Sequence, residues 1–432
     1  MRSARQKIFQ GACGTMGTID WLRKLGGISK MLNVALIGIE GFGRAHVRQI
    51  VAFANEGKLR CAAFADPGAD PAGESFAALT ALGAVRCDDD ATLLAERPDV
   101  DAVVLATPLP LHRAMAIRAL EAGRHVLVEK PPAVAVQDVD AMARAQEAAG
   151  RLCAVNFQNV SGSAFRRALE LVRAGAIGRV SRIAGIGMWK RTDRYYSRTP
   201  WAGKLTLRGQ LVLDGTLMNP FAHLLQNGLL LAEAAAADPA DAEPLHLRAE
   251  LYRAHPIEGD DTSCLRLATR GGVEVCMYTT LCYESNEPPA IEVVGDRGVL
   301  RWDYANRLEI RRAGGSAPET LQFPAEDLMR KMYSNWIDSI DDRAEPYCTV
   351  DRCRPFVAAV NGALLSSGGV HPIPADAVDI AEEHGNRVTT VRDLPELFRE
   401  AAERSALLSE LGVPWAVRTR RFSLEGFREF RL

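Results

Sequence analysis

The sequence predicts an α/β protein that opens with a doubly wound parallel sheet, and three observations predict it. Short apolar runs alternate with helical patterns from residue 31 to about residue 157, as strands do when crossover helices join them. The first run ends in a glycine turn and the second in an acid, which is the layout of a dinucleotide-binding unit. At 432 residues the chain is long for one domain, and from Val180 the pattern shifts to consecutive strand-like runs, so a second domain follows.

The strong pattern begins at Met31. Residues 1–30 carry Arg2, Arg5 and Lys7 and a glycine-rich stretch, Gly11 to Gly17, without an apolar core. They do not read as a secretory signal, and a poorly ordered extension is expected.

Leu32 to Gly38 is an apolar strand closed by glycine; a helical pattern follows through Ala54, then a second strand, Leu59 to Ala65, closed by Asp66-Pro67. In a dinucleotide turn the first glycine permits the tight turn, the second lets backbone approach the pyrophosphate, and the third lets helix pack on strand. Gly38 and Gly43 fill the first and third positions. Glu40 takes the second, where a carboxylate would repel pyrophosphate unless it points away and Gly41 supplies the freedom. Asp66 can accept hydrogen bonds from the adenosine ribose and would repel a 2′-phosphate, which favours NAD over NADP. Its alternative is a helix cap or an Asp-Pro turn.

Asp88 to Asp90 are expected at the positive end of a helix, solvated and without chemistry. The strand Ala102 to Ala106 runs into Thr107-Pro108, and a helix from His112 to Ala122 leads into His125 to Val128. That strand ends in Glu129-Lys130-Pro131-Pro132. Prolines cannot donate to a ladder and bias the preceding residue away from helix, so the strand stops there. Lys130 is thus delivered to the carboxyl edge of a parallel sheet, where open α/β sheets bind ligands. It could equally be a surface lysine paired with Glu129.

A helix, Val136 to Ala149, and a strand, Leu152 to Phe157, complete the first domain, with a boundary near residue 153. Residues 163–174 read as an amphipathic helix. The strand-like runs are Arg182 to Met188, Leu245 to His255, Ser263 to Thr269, Val273 to Leu281, Ala290 to Val294 and Gly298 to Asp303; a helix spans Arg354 to Ser366. Ala375 to Leu432 looks mainly helical at first and basic near Arg418 to Arg421.

Composition narrows the function classes. A hydrophobic fraction of 47%, a charged fraction of 25% and a net charge of -2 argue against nucleic acid or an anionic membrane surface as partner. No run is apolar enough to span a membrane. Nine cysteines without a CxxC pair or metal-ligand spacing fit free thiols in a reducing cytoplasm, and no metal site is expected.

Gly38 to His46, Ala106-Thr107-Pro108 with His112, and Glu129-Lys130-Pro131 together resemble the signature of the Gfo/Idh/MocA oxidoreductases, over roughly residues 31 to 374. The resemblance implies a Rossmann domain over residues 31–153, a substrate-binding and oligomerisation domain over 154–374 on a large, mainly antiparallel sheet, and a C-terminal extension over 375–432. It implies a homodimer or homotetramer through the second sheet. Members typically move a hydride between NAD(P) and a hydroxyl or carbonyl carbon of a sugar, cyclitol or related polyhydroxylated substrate. Carried onto this chain, the cofactor would meet Gly38, Gly41, Phe42, Gly43, Asp66, Thr107, Pro108, His112, Glu129 and Lys130, with Lys130 also touching the reacting oxygen.

The family carries an Asp and a His four positions apart in a helix of the second domain. Here Asn219 and His223 hold those positions, and a helix would put both on one face. Histidine suits the proton step because it titrates near neutrality. Asparagine can only hydrogen-bond, so His223 would work alone or with Lys130, with Asn219 orienting a hydroxyl. Asn219 before Pro220 is also a good helix N-cap, and Asp214 is either a substrate contact or a turn cap. The stretch Trp189 to Lys204, with Tyr195 and Trp201, reads as a substrate loop, a solvated loop or a subunit contact. As a substrate loop, its Arg191, Arg194 and Arg198 would lean toward an acidic sugar derivative. The departures at Glu40 and Asn219 also suit a weakened nucleotide- or sugar-binding regulatory protein. A lyase or hydrolase using bound NAD as an internal redox partner is a further alternative.

Overall fold

Six parallel strands form the first sheet in a computed structural model that describes residues 31–315 and 317–432. The expected extension over residues 1–30 lies outside the described residues. Along the chain come β1 (Leu32–Ile37), α1 (Gly43–Asn55), β2 (Leu59–Ala65), α2 (Glu74–Ala81), β3 (Val85–Cys87), α3 (Asp90–Glu96), β4 (Ala102–Leu105), α4 (His112–Glu121), β5 (His125–Glu129), α5 (Val136–Ala149) and β6 (Cys153–Asn156). The strands pair in the order β3-β2-β1-β4-β5-β6. Strand order therefore reverses between β1 and β4, and the crevice beyond their carboxyl ends is the place where such sheets bind ligands. Val34, Leu36, Val103, Val104 and Leu127 are fully buried, as strands covered on both faces require.

One expectation shifts here. Asp89 caps α3, accepting the Thr92 amide at 2.7 Å. Asp90, however, is buried against the Arg118 guanidinium and is not solvated, because α4 packs beside α3 and brings that cation to it.

The second part begins with α6 (Ser163–Arg173), β7 (Val180–Met188), the short α7 (Asp193–Tyr196), the hairpin β8 (Thr206–Leu207) and β9 (Gln210–Leu211), and α8 (Ala222–Ala235). Then follow β10 (Pro244–Arg253), β11 (Thr262–Thr269), β12 (Glu274–Thr280), β13 (Ala290–Gly295), β14 (Gly298–Asp303), β15 (Arg307–Arg312), β16 (Glu319–Gln322), α9 (Leu328–Ile340), α10 (Arg354–Ser367) and β17 (His371–Pro372). The chain closes with β18 (Val378–Glu383), β19 (Asn386–Val391), α11 (Leu394–Arg404) and β20 (Phe422–Ser423). Ten of these strands build one sheet, β16-β15-β14-β13-β7-β12-β11-β10-β17, with β20 also on β10. Its pairings are antiparallel except β7–β12 and β10–β17.

Alternation splits this sheet into two faces. Leu265, Leu267, Val275 and Met277 face the main core with α8 and α10. Cys264, Cys276, Tyr278 and Tyr252 face the other way, onto Leu394, Phe398 and Ala401 of α11 and onto Leu407 and Leu408. The segment after residue 375 thus differs from the mainly helical start read in the sequence. It opens with the β18–β19 hairpin, because His384-Gly385 both adopt positive φ and β-branched residues follow. It also covers the centre of the face expected to support a dimer or tetramer, which leaves the outer strands, where Arg301, Arg307 and Arg311 are exposed.

Two later elements return to the first sheet. Tyr333, Trp336 and Ile337 of α9 pack with Val34, Leu36 and Phe53. Asn361 of α10 accepts the Val136 amide and donates to the Val134 carbonyl, both at 2.9 Å. These contacts fix the edge that carries Lys130.

Candidate active site

A cleft of about 620 Å³ opens at that edge. Its first wall is Phe42, Ala106 to His112 and Glu129 to Pro131; its second is Tyr195, Arg198, Trp201, the β8–β9 hairpin, Val212, Asp214, Met218 and Asn219.

The glycine turn lies beside the first wall and fits a dinucleotide. Gly38 has φ +86°, and a Cβ there would stand 2.5 Å from the Ala106 carbonyl oxygen; one on Gly43 would meet the Gly38 carbonyl oxygen at 2.4 Å. Only glycine allows β1, β4 and α1 to meet this closely. Glu40 turns away from the turn and takes the Arg44 guanidinium at 2.7 and 2.9 Å, one helical turn on. Asp66 accepts the amides of Ile39 and Gly68, each at 2.9 Å, so it closes its own Asp-Pro turn and ties it to the glycine turn. Thr107 keeps a buried hydroxyl without a protein partner, a polar atom that a bound nucleotide could satisfy. His112 spans the Thr107 and Pro131 carbonyl oxygens at 2.8 and 3.0 Å, and burial lowers its pKa. It clamps the β4 and β5 ends together.

Beneath Lys130 lies a closed polar chain. Glu129, 7% exposed, accepts from His46 Nε2 at 2.7 Å and from Asn156 Nδ2 at 2.5 Å, while Tyr333 Oη bonds His46 Nδ1 at 2.7 Å. Burial alone would raise the Glu129 carboxyl; the His46, Asn156 and Lys130 interactions outweigh it and hold the pKa below the usual carboxylate value.

Lys130 Nζ donates to Asn219 twice, to its backbone oxygen at 3.0 Å and to Oδ1 at 3.1 Å. Asn219 Nδ2 in turn donates to Asp214 Oδ1 at 2.8 Å, which fixes the amide with its oxygen toward the lysine. Burial lowers the Lys130 pKa against the pull of Glu129 and Asp214, and Arg198 lowers it further. Burial raises the Asp214 pKa, although Gly203 N–H, Asn219, Arg198 and Lys130 all favour its anion.

The helix expected to carry Asn219 and His223 begins later than Asn219. Residues 216–221 form turns and α8 starts at Ala222, so Asn219 does not cap it and Pro220 is not its first residue. The physical reason is that the Asn219 side chain is engaged by Lys130 and Asp214. His223 lies outside the cleft wall, edge-on to Phe157 with ring centroids 5.4 Å apart, its Nδ1 buried without a partner. Burial, then the Lys130 charge, drives its pKa well down.

The Trp189–Lys204 stretch does reach the cleft. Arg198 stacks on Tyr195, 3.6 Å from the ring centroid, and lies 5.0 Å from that of Trp201. Its Nη2 stands 3.8 Å from Asp214 Oδ2. Arg191 instead donates to Asn286 Oδ1 at 2.9 Å. Behind the loop, Tyr196 stacks on His255, whose Nδ1 lies 2.9 Å from Asp261 Oδ2 and 3.5 Å from Cys282 Sγ. The Asp261 carboxylate also takes the Ala254 and His255 amides, so this cluster pins the loop's floor. The eight described cysteines are all free and buried.

The cleft therefore gathers Phe42, Thr107, Pro108, His112, Glu129, Lys130, Tyr195, Trp201, Asp214 and Asn219; Gly38, Gly41, Gly43, Asp66 and His223 stand outside its wall. Sequence reasoning missed Arg208 and its hairpin. The available signal was Arg208-Gly209 between two polar-apolar pairs, Thr206-Leu207 and Gln210-Leu211.

Comparison with known proteins places these features. Residues 32–157 match the model of the oxidoreductase family with an NAD-binding Rossmann fold, and residues 165–301 match the GFO/IDH/MocA C-terminal domain. An inositol 2-dehydrogenase of Streptomyces avermitilis is 31% identical over 86% of this chain and 98% of its own length. A 1-carboxy-3-chloro-3,4-dihydroxycyclohexa-1,5-diene dehydrogenase of Comamonas testosteroni is 33% identical over 47% of this chain and 48% of its own. This chain thus matches about half the length of that relative. The WlbA dehydrogenase of Bordetella pertussis, solved with NADH and UDP-GlcNAcA, shares the fold at a TM-score of 0.64 and 24% identity, covering 78% of this chain and 97% of that one. No described helix is long and apolar enough to cross a membrane. With both domains matched and one relative aligned almost end to end, the chain belongs to the Gfo/Idh/MocA family of NAD-binding oxidoreductases.

Proposed function

We propose that the protein is an NAD-dependent dehydrogenase acting on a CH–OH group of a sugar, cyclitol or related polyhydroxylated substrate. The observation that carries this reading is the pair of hydrogen bonds from Lys130 Nζ to the two oxygens of Asn219, at the carboxyl edge of β5.

The glycine turn with Thr107 and Pro108 would hold the cofactor, which supplies a hydride acceptor or donor when bound. Asp66 retains lone pairs for ribose hydroxyls beyond the two amides it accepts, and its charge disfavours a 2′-phosphate, which supports NAD over NADP. The pairing of Glu40 with Arg44 removes one of the two grounds for a weakened binding protein.

Lys130 acts as the proton carrier. As a neutral amine it spends both hydrogens on Asn219, so its lone pair faces the cleft and can take a proton from a substrate hydroxyl. As an ammonium it offers a third N–H to a substrate carbonyl oxygen. Its depressed pKa brings the two forms closer to neutrality. His223, held neutral by burial and set outside the cleft wall, does not carry the proton. Tyr195 and Trp201 offer flat apolar surfaces to a ring. The free thiols fit a cytoplasmic setting.

The test is nucleotide titration by fluorescence and thermal shift, followed by Lys130→Met. NADH should stabilise the protein and NADPH should do so less. Lys130→Met should lower kcat by about 10²- to 10⁴-fold with NADH affinity retained. No response to either nucleotide, or unchanged turnover in the variant, would overturn the reading.

A further inference from the structure

The hairpin β8–β9 is only two residues long on each side, with Thr206 opposite Leu211 and Leu207 opposite Gln210. Its turn is Arg208-Gly209, with φ +51° and +77°. Two-residue turns with both central residues at positive φ favour Asn-Gly, and a long-chain residue seldom adopts the first position. An arginine held there is a backbone outlier that invites a functional account. The hairpin leans over the cleft, and Arg208 lines it beside Leu207 and Gln210.

The charges facing this space do not balance. Lys130, Arg198 and Arg208 are the cations of the wall; Asp214 and Glu129 are its anions. Glu129 is already committed to His46 and Asn156, and Asp214 accepts from Asn219 and Gly203 and faces Arg198. Arg208 has no hydrogen bond or ion pair among the described residues. It is exposed, and its five donors are unspent on the described residues. Tyr195 and Trp201 stand on the same wall, so a ligand can set a ring on aromatic faces while an anionic substituent reaches the hairpin.

We propose that the substrate of this cleft carries an anionic group, a carboxylate or a phosphate, and that Arg208 binds it at the hairpin tip while Arg198 adds positive field. The proposal rests on the dehydrogenase reading and narrows its substrate class from polyhydroxylated compounds to anionic ones. A planar guanidinium pairs with either group through two parallel N–H bonds.

The experiment is calorimetry on the full chain with and without saturating NADH. The probes are D-glucuronate and D-galacturonate for the carboxylate, glucose 6-phosphate for the phosphate, and D-glucose and myo-inositol as neutral references. At least one anionic probe should bind about tenfold or more tighter than its neutral counterpart, and the preferred anion identifies the source. Arg208→Asn suits the turn's φ and keeps the fold. It should cut the anionic-to-neutral affinity ratio by about 10- to 100-fold and leave NADH affinity in place. Equal binding of neutral and anionic probes, an unchanged ratio in the variant, or a loss confined to NADH affinity would each overturn the proposal. If the wild type failed to bind NADH, the dehydrogenase reading would fall by itself, and the anion affinities of the nucleotide-free protein would still decide this proposal.

Discussion

Asn219→Asp probes the arrangement around Lys130 most directly. In the wild type the Asn219 amide donates to Asp214 Oδ1 at 2.8 Å. Replacing that amide by a carboxylate sets two acids in contact. At this distance two unit charges at an effective dielectric of about 20 repel by about 6 kcal/mol. Lys130 and Arg198 offset part of this, and about 3 kcal/mol left over raises one pKa of the pair by roughly 2 units. The two carboxyls then share a proton up to that pKa and carry one charge between them. Above it a second negative charge stands beside Lys130 and holds its proton more tightly. The variant's rate should therefore climb with pH later than the wild type's. Because this pKa is raised in the folded state, the shared proton favours folding at low pH and the benefit is lost as pH rises through the shifted value. The assay is kcat/KM against pH, paired with thermal unfolding across the same range. Superimposable profiles for the two proteins between about pH 5 and 9 would refute the chain Lys130–Asn219–Asp214 as an electrostatic unit.

Glu40→Gly restores the usual glycine yet should change NADH affinity by less than about fivefold, since an exposed ion pair such as Glu40–Arg44 contributes little; a tenfold gain would mean that the carboxylate faces the pyrophosphate after all. Phe398→Ala, at a fully buried ring 5.9 Å from Tyr278, should cost about 3 to 5 kcal/mol in denaturant unfolding, and a loss below about 1 kcal/mol would show that α11 rests loosely on the sheet.

The first sheet was legible because its signals are local. Leu32 to Gly38 carries a strand and its glycine turn, Leu59 to Asp66 a strand and its closing acid, and Pro131-Pro132 mark where β5 must end. What escaped depends on distant partners. Nothing near His46 announces Tyr333, 287 positions later, and nothing near Asn219 shows that Lys130 and Asp214 will engage its side chain and delay the helix. Two-residue strands leave no periodicity to detect, so the Arg208 hairpin passed unseen. The segment after residue 375 carried an amphipathic helix, but its apolar stripe does not say which surface it will cover.

That segment bears on how the molecule completes itself during synthesis. The β18–β19 hairpin reaches back to the cleft loop through a bridge between Thr192 and Val388 and through the Lys190–Glu383 pair, and Val391 donates to the Cys282 carbonyl at 3.1 Å. Tyr333 likewise closes the chain beneath Lys130 only after most of the sequence exists. A ribosome releasing the protein from its N-terminus can let the nucleotide half collapse early. The polar chain beneath Lys130 must wait for α9, and the Trp189–Lys204 loop is braced only once β18 and β19 exist.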